Sequence, residues 1–344
     1  MRMRSNRHLE PIRTSPTFRF APAMARSRLL PDNFTLALVA TVVLASVLPA
    51  SGTVGAFFEK ATVAVVALLF FMHGAKLSRE AVLAGLGHWR LHVLVVASTF
   101  ALFPLLGWGL RPVLQPLVTP ELYTGVLFLC VLPATVQSAI AFTAVARGNM
   151  AAAICSASAS TLLGIVITPL LVGLVLPHTG TAQQDVLGSI GRIMLQLLLP
   201  FVAGHLLRPW IGGFIARHAA ALKFVDQGSV LLVVYTAFSA AVVAGLWRQL
   251  PLPALAGLLV VCAVILGAAL TATTWLARRL GFPKEDEITI VFCGSKKSLV
   301  SGVPMAKVLF ASQAAGAIVL PLMVFHQMQL MVCAVLAQRY ARRG

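Results

Sequence analysis

The chain has 344 residues, 59% of them hydrophobic and 11% charged, with a mean hydropathy of +0.90. A soluble domain carries roughly 25% charged residues, so this composition excludes a protein that turns its whole surface to water. Lys and Arg total 27 against 10 Asp and Glu, but they sit mostly in short segments between apolar runs, which marks membrane topology and not a nucleic-acid partner.

Residues 1–30 hold seven arginines, Pro, Ser and a single acid, Glu10. They carry no apolar period, which predicts a disordered basic cytoplasmic tail. Met24 offers an alternative start, since the residues after it lead straight into the first apolar run. That run, Phe34 to Leu48, precedes the small residues Ala50, Ser51 and Gly52 and has the look of a secretion signal. The nine runs behind it make a retained first helix the better reading.

Apolar runs long enough to cross a bilayer fall at roughly 34–50, 56–73, 90–110, 122–146, 149–176, 186–207, 224–247, 253–277, 286–309 and 314–338. Pro and Gly punctuate most of the short connections. With the N-terminus inside, twenty Lys and Arg fall on the cytoplasmic side and five on the other. That bias predicts ten spans with both termini cytoplasmic. The fold class is therefore all-α and polytopic, a transmembrane domain over 31–340. Ten spans divide into five and five, and an odd number per half gives inverted repeats, roughly 31–178 and 185–340.

The fourth span of each half is interrupted. Span four holds Leu132-Pro133-Ala134-Thr135-Val136-Gln137-Ser138, and span nine holds Gly294-Ser295-Lys296-Lys297-Ser298 followed by Ser301-Gly302-Val303-Pro304. Backbone freed by a break must line a cavity or find protein partners, and half-helix ends carry partial charge that holds ions. Matched breaks point to a substrate site, with Thr135, Gln137, Ser138, Ser295 and Ser298 as candidate ligands. Each of these side chains is equally suited to satisfying the freed backbone of an inert kink. Lys296 and Lys297 are the sharpest feature, because a lysine mid-membrane costs about 2.5–3.5 kcal/mol and normally faces an aqueous cavity or a partner. Neighbouring helical residues point about 100° apart, so one of the two is expected to face the cavity.

All ten acids lie in the tail, in loops or near span ends. No mid-membrane carboxylate is therefore expected to carry a proton or bind sodium, and a buried lysine favours an anionic solute. Asn149 is suited to capping span five. Ser156, Ser158, Ser160 and Thr161 suit either helix packing or ion binding, and Gln196, His326, Gln327 and Gln329 either a pathway lining or interhelical hydrogen bonds. The five cysteines lie inside apolar runs with no CxxC pair, so neither a disulfide framework nor a metal site is expected.

At the two breaks, and at Ala146-Arg147-Gly148-Asn149, the chain resembles the bile acid:sodium symporter superfamily, in particular its bacterial SBF-like symporter branch, over about residues 30–340. The resemblance implies a core domain in which broken helices four and nine cross, beside a panel domain that moves for alternating access. It implies organic anions, bile acids and smaller carboxylates, as substrates, and sodium as the coupling ion. Against the family pattern, no acid precedes Lys296 and Lys297, which stand where a Gln-Asn pair belongs, and Ala153 and Ala157 stand where ion-binding hydroxyls are expected. One ammonium is expected to replace the sodium ion. The expected function is secondary transport of an anionic or amphipathic small solute across a bacterial inner membrane, with no cofactor and the lipid bilayer as its surroundings. A non-transporting partner of an envelope biosynthetic system and an intramembrane Ser–Lys hydrolase are the alternatives.

Overall fold

A computed structural model describes residues 33–76, 86–176, 186–310 and 312–342. The expected tail over 1–30 and the Gln196 side chain lie outside the described residues. Every regular element among the described residues is helical. In chain order these are α1 (Asn33–Val47), α2 (Gly52–Lys76), α3 (Trp89–Gly109), α4 (Pro120–Val131), α5 (Gln137–Val145), α6 (Met150–Val175), α7 (Val186–Arg217), α8 (Ala219–Val243), α9 (Leu252–Arg279), α10 (Lys284–Gly294), α11 (Leu299–Leu309) and α12 (Ser312–Ala341). Short turns of helix lie between some of them. Among the described residues, seven helices are long and apolar enough to cross a membrane by length and composition, with α1 and α4 as shorter apolar helices.

The helix ends follow local chemistry. Thr119 caps α4, its hydroxyl accepting from the Leu122 N–H, with Pro120 at the first helical position. Pro283 precedes α10, whose first turn carries Glu285, Asp286 and Glu287 against the positive end of the helix dipole. Inside α3, Pro104 has no N–H to donate, and the preceding turn, Ser98–Leu102, widens into a π-helix in which the Phe103 N–H reaches back to Ser98. That widening leaves the Thr99 carbonyl without the donor an α-helix would give it.

Helices α1, α2, α7 and α8 pack on one another, and α8 also meets α11 and α12. The α2–α7 crossing brings backbones into contact. A Cβ on Gly74 would sit 1.9 Å from the Phe201 carbonyl oxygen, and one on Gly204 2.0 Å from that of Phe71. Only glycine fits at either position, the small-residue crossing typical of membrane helices. The outer surface is apolar. All five tryptophans are exposed, from Trp247 at 41% to Trp210 at 77%, as are many leucines and valines, a distribution that suits lipid and interface rather than water.

Ion pairs join the helices, among them Lys76 with Asp226 between α2 and α8, Lys307 with Glu59 between α11 and α2 at 3.1 Å, and Arg278 with Glu287 between α9 and α10 at 2.9 Å. Tyr340 on α12 donates to the same Glu287 carboxylate at 2.8 Å.

Candidate functional site

The interruptions predicted in spans four and nine are present, and they touch. Between α4 and α5 residues 132–136 leave the helix, and between α10 and α11 residues 295–298 do so. The Ser298 N–H donates to the Pro133 carbonyl at 2.9 Å. Much of the freed backbone finds polar side chains. The Ala134 N–H donates to Ser160 Oγ at 2.9 Å, and Thr168 Oγ1 donates to the Val131 carbonyl at 2.8 Å.

Lys297 closes the junction. Its ammonium donates to the carbonyls of Thr99 at 2.7 Å, Cys130 at 2.8 Å and Leu132 at 2.7 Å, with the Phe103 ring 4.2 Å away. These acceptors are available for physical reasons. Thr99 is freed by the π-turn, Cys130 by the diversion of the Ala134 N–H to Ser160, and Leu132 by the break itself. Three N–H bonds meet three carbonyls, which uses the full donor capacity of an ammonium. The Lys297 peptide is held as well: its N–H donates to Gln329 Oε1 and its carbonyl accepts from Gln329 Nε2, both at 2.9 Å. His326 Nδ1 lies 3.0 Å from that same Gln329 nitrogen.

Lys296 goes elsewhere. Its ammonium donates to the Ser138 carbonyl at 3.0 Å and lies 4.1 Å from the Phe142 ring centroid and 5.1 Å from that of Phe292, a cation–π arrangement. Both lysines are 0% exposed, and neither lines the cavity that lies beside the breaks. The expectation that one of them faces the pathway is corrected by this geometry, since carbonyls and aromatic faces inside the protein satisfy both.

A cavity of about 300 Å³ lies between the breaks and helices α2, α7, α8 and α12. Its break-side wall includes Thr135, Gln137, Ser138, Ser298 and Ser301. Gln137 opens α5, and Ser298 caps α11, its hydroxyl accepting from the Ser301 N–H at 3.1 Å. Two helix N-termini, each with partial positive charge, therefore border the cavity. Thr135 and Ser138 hydroxyls pair with each other at 2.7 Å. The opposite wall supplies His73, Lys76, Lys223, Asp226 and Gln227, and α12 adds His326. A neighbouring groove shares Lys76, Gln137 and Lys223 and adds Arg208.

Of the remaining candidates, Asn149, Ser156 and Ser295 do not line the cavity. Asn149 caps α6, accepting from the Ala152 N–H at 3.1 Å, and donates to Asp286 Oδ1 at 2.9 Å, which ties α6 to α10. It follows Arg147, a non-glycine residue with φ of 61°. Ser156 bonds His92 Nδ1 at 2.7 Å, and Ser295 Oγ donates to the Val291 carbonyl at 2.6 Å. With Ser295 and Ser298 bonded within their own turns and both ammoniums on carbonyls, no Ser–Lys dyad is assembled among them.

His73, Asp226 and Gln227 were not among the expected site residues. Asp226, expected near the start of the 224–247 span, lies about two turns into its helix, which begins earlier than expected. Helix α8 begins at Ala219, so Asp226 stands well inside it, 7% exposed and on the cavity wall.

The sequence profile of the SBF-like CPA transporter family matches residues 32–342. An uncharacterized protein of Pseudomonas aeruginosa, PA2026, is 66% identical over 320 residues, covering 93% of this chain and 96% of that protein. The protein named "Putative symporter YfeH" of Escherichia coli is 59% identical over 316 residues, 91% of this chain and 93% of its own. Sodium/bile acid cotransporter 7 of Rattus norvegicus is 28% identical over 315 residues, 90% and 92% of the two chains. Members of this family are transporters and not enzymes, in accord with a fold of apolar helices meeting at paired breaks. The chain belongs to the SBF-like CPA transporter family and is a multi-pass, symporter-like membrane transporter.

Proposed function

We propose that the chain is a secondary active transporter of small organic anions that works by alternating access and needs no sodium ion. The observation that carries this reading is the cavity, walled on one side by the N-termini of α5 and α11 and on the other by Lys76, Lys223 and His73. Peptide N–H dipoles and ammonium groups converge there on a space suited to a small molecule.

In this reading ten segments cross the membrane, with α4–α5 and α10–α11 each forming one interrupted crossing. Two inverted five-helix repeats cover roughly 31–178 and 185–340. Exchanging the halves exchanges α1 with α7 and α2 with α8, so the α1–α8 and α2–α7 contacts are equivalents, which supports the repeat. Helices α1, α2, α7 and α8 form the moving panel and the others the core. The Lys and Arg bias puts both termini in the cytoplasm of a bacterial inner membrane. In the same reading the cavity mouth, bordered by Lys76, Arg208 and Lys223, opens to the cytoplasmic side.

Sodium independence rests on Lys297. Neutral carbonyl oxygens at a helix break are the ligands a sodium ion would use, and here a tethered ammonium holds them. The test is thermal unfolding of the purified protein with benzoate, succinate or cholate, in sodium or choline buffer. A ligand at 100 times its Kd stabilises by about 2.7 kcal/mol. Stabilisation by an anion, equal in both buffers and followed by uptake of that anion into proteoliposomes, is the expected result. Saturable stabilisation by sodium would overturn sodium independence, and indifference to all three anions would overturn the substrate class.

A further inference from the structure

The cavity contains an ionisable pair that the anion reading leaves unused. Lys76 on α2 and Asp226 on α8 form an ion pair there, with the lysine side chain 33% exposed and the aspartate 10%. Asp226 Oδ2 takes the ammonium, while Oδ1 is buried and has no hydrogen-bond partner. Asp226 therefore meets Lys76 through one oxygen and keeps the other buried and unpartnered, and a buried polar atom of that kind is costly. Lys76 is also the cation of this pair that solvent reaches, and it borders both the cavity and the groove beside it.

From this geometry we infer that Asp226 is the site of the coupling proton: an entering anion takes Lys76 from Asp226, and the released carboxylate binds one proton at its buried oxygen. The inference rests on the anion reading above. The exchange is balanced. The Lys76–Asp226 ion pair opens, the substrate's anionic group accepts from the Lys76 ammonium, and a proton from solvent in the cavity adds to Asp226 Oδ1. One negative charge and one proton enter together, so a monovalent anion leaves the net charge of the site unchanged. Without that proton, substrate and aspartate would stand as two anions beside one ammonium, which like-charge repulsion opposes. The panel helices α2 and α8 carry the pair and the core carries the two helix N-termini. An anion bridging Lys76 to those N-termini thus links proton uptake to the contact between panel and core.

Other ionisable groups face Asp226 and set the controls. His73 shares α2 with Lys76, and Lys223 lies one turn before Asp226 on α8. Arg208 comes from α7, bordering the neighbouring groove and donating to the Lys76 carbonyl at 2.9 Å, and His326 comes from α12. The breaks contribute no ionisable side chain to the lining, because Lys296 and Lys297 are sealed behind them.

The experiment titrates the full-length protein with whichever of benzoate, succinate and cholate binds tightest. Proton uptake is read with a pH dye in weakly buffered solution, and Kd is measured at pH 6, 7 and 8. The wild type is expected to take up one proton per anion. Its Kd should rise about tenfold per pH unit across the range in which free Asp226 is ionised and the bound form protonated. Asp226→Asn is expected to bind the anion with no proton uptake and a Kd that varies less than twofold. Anion binding without proton uptake in the wild type overturns the inference and leaves the anion reading standing. Uptake that persists in Asp226→Asn overturns it in favour of a histidine. Failure of all three anions to bind the wild type removes the anion reading and this inference with it. Should Asp226→Asn not yield folded protein, Lys76→Met decides. It is expected to bind at least tenfold more weakly and take up no proton, and a full proton taken up by that variant refutes the exchange.

Discussion

Replacing Lys297 with methionine keeps an unbranched side chain of similar volume and removes the ammonium. Three buried carbonyls, those of Thr99, Cys130 and Leu132, then lose a charged donor at once. Leaving a buried polar group unsatisfied costs about 1–3 kcal/mol, which for three groups sums to roughly 3–9 kcal/mol. Relief from burying the ammonium offsets several kcal/mol of that. The expected net loss is about 2–5 kcal/mol, concentrated where α3, α4 and α10 meet. Thermal unfolding followed by intrinsic fluorescence or a thiol-reactive dye measures it directly, since Cys130 and Cys293 are buried at this junction and become reactive when it opens. The same variant opens an oxygen-lined space, so sodium or potassium at high concentration should restore part of the lost stability in Lys297→Met and leave the wild type unchanged. A variant as stable as wild type, with Cys130 equally protected, would refute the claim that the ammonium holds the break together.

Phe142→Ala removes the nearer aromatic face from Lys296. The ring is partly buried, so the loss should fall below the ~3–5 kcal/mol of a fully buried Phe, with up to about 2 kcal/mol of it cation–π attraction; Phe142→Leu, measured by the same unfolding assay, isolates the smaller term. Gly74→Ala places a Cβ 1.9 Å from the Phe201 carbonyl oxygen, so the α2–α7 crossing must separate, and fluorescence-detected size exclusion should show loss of the monodisperse peak. Asn149→Ala removes the α6 cap and the bond to Asp286, an expected loss of about 1–3 kcal/mol with anion affinity unchanged, because Asn149 lies off the cavity.

Helix positions were legible from apolar runs, Pro and Gly, and the breaks were legible because polar residues in a membrane span are costly enough to stand out. Lys296 and Lys297 stood out for the same reason, yet their directions did not. Helical spacing places them on different faces but cannot say which carbonyls a π-turn in α3 will free. The cavity wall was harder to find. His73 and Asp226 lie 153 positions apart and meet only because α2 packs on α8, and helices apolar on every face give no amphipathic clue to that pairing. By sequence Asp226 stands near the start of the 224–247 span, and only the start of α8 at Ala219 shows it about two turns inside a helix.

The widened turn in α3 gives Pro104 a meaning beyond its own helix. A residue with an N–H at that position would allow the α-helical ladder to close, and the Thr99 carbonyl would return to a donor in its own chain segment. Lys297 would then have two acceptors for three hydrogens. Pro104 on α3, Ser160 on α6 and Lys297 in the break between α10 and α11 therefore form one unit of inheritance. Substitution of the lysine relaxes selection on the proline and the serine, and change at either of those positions burdens the lysine. Sequences that diverge at one of the three are expected to diverge at the others, a pattern of correlated replacement traceable to three backbone oxygens that no side-chain contact would reveal.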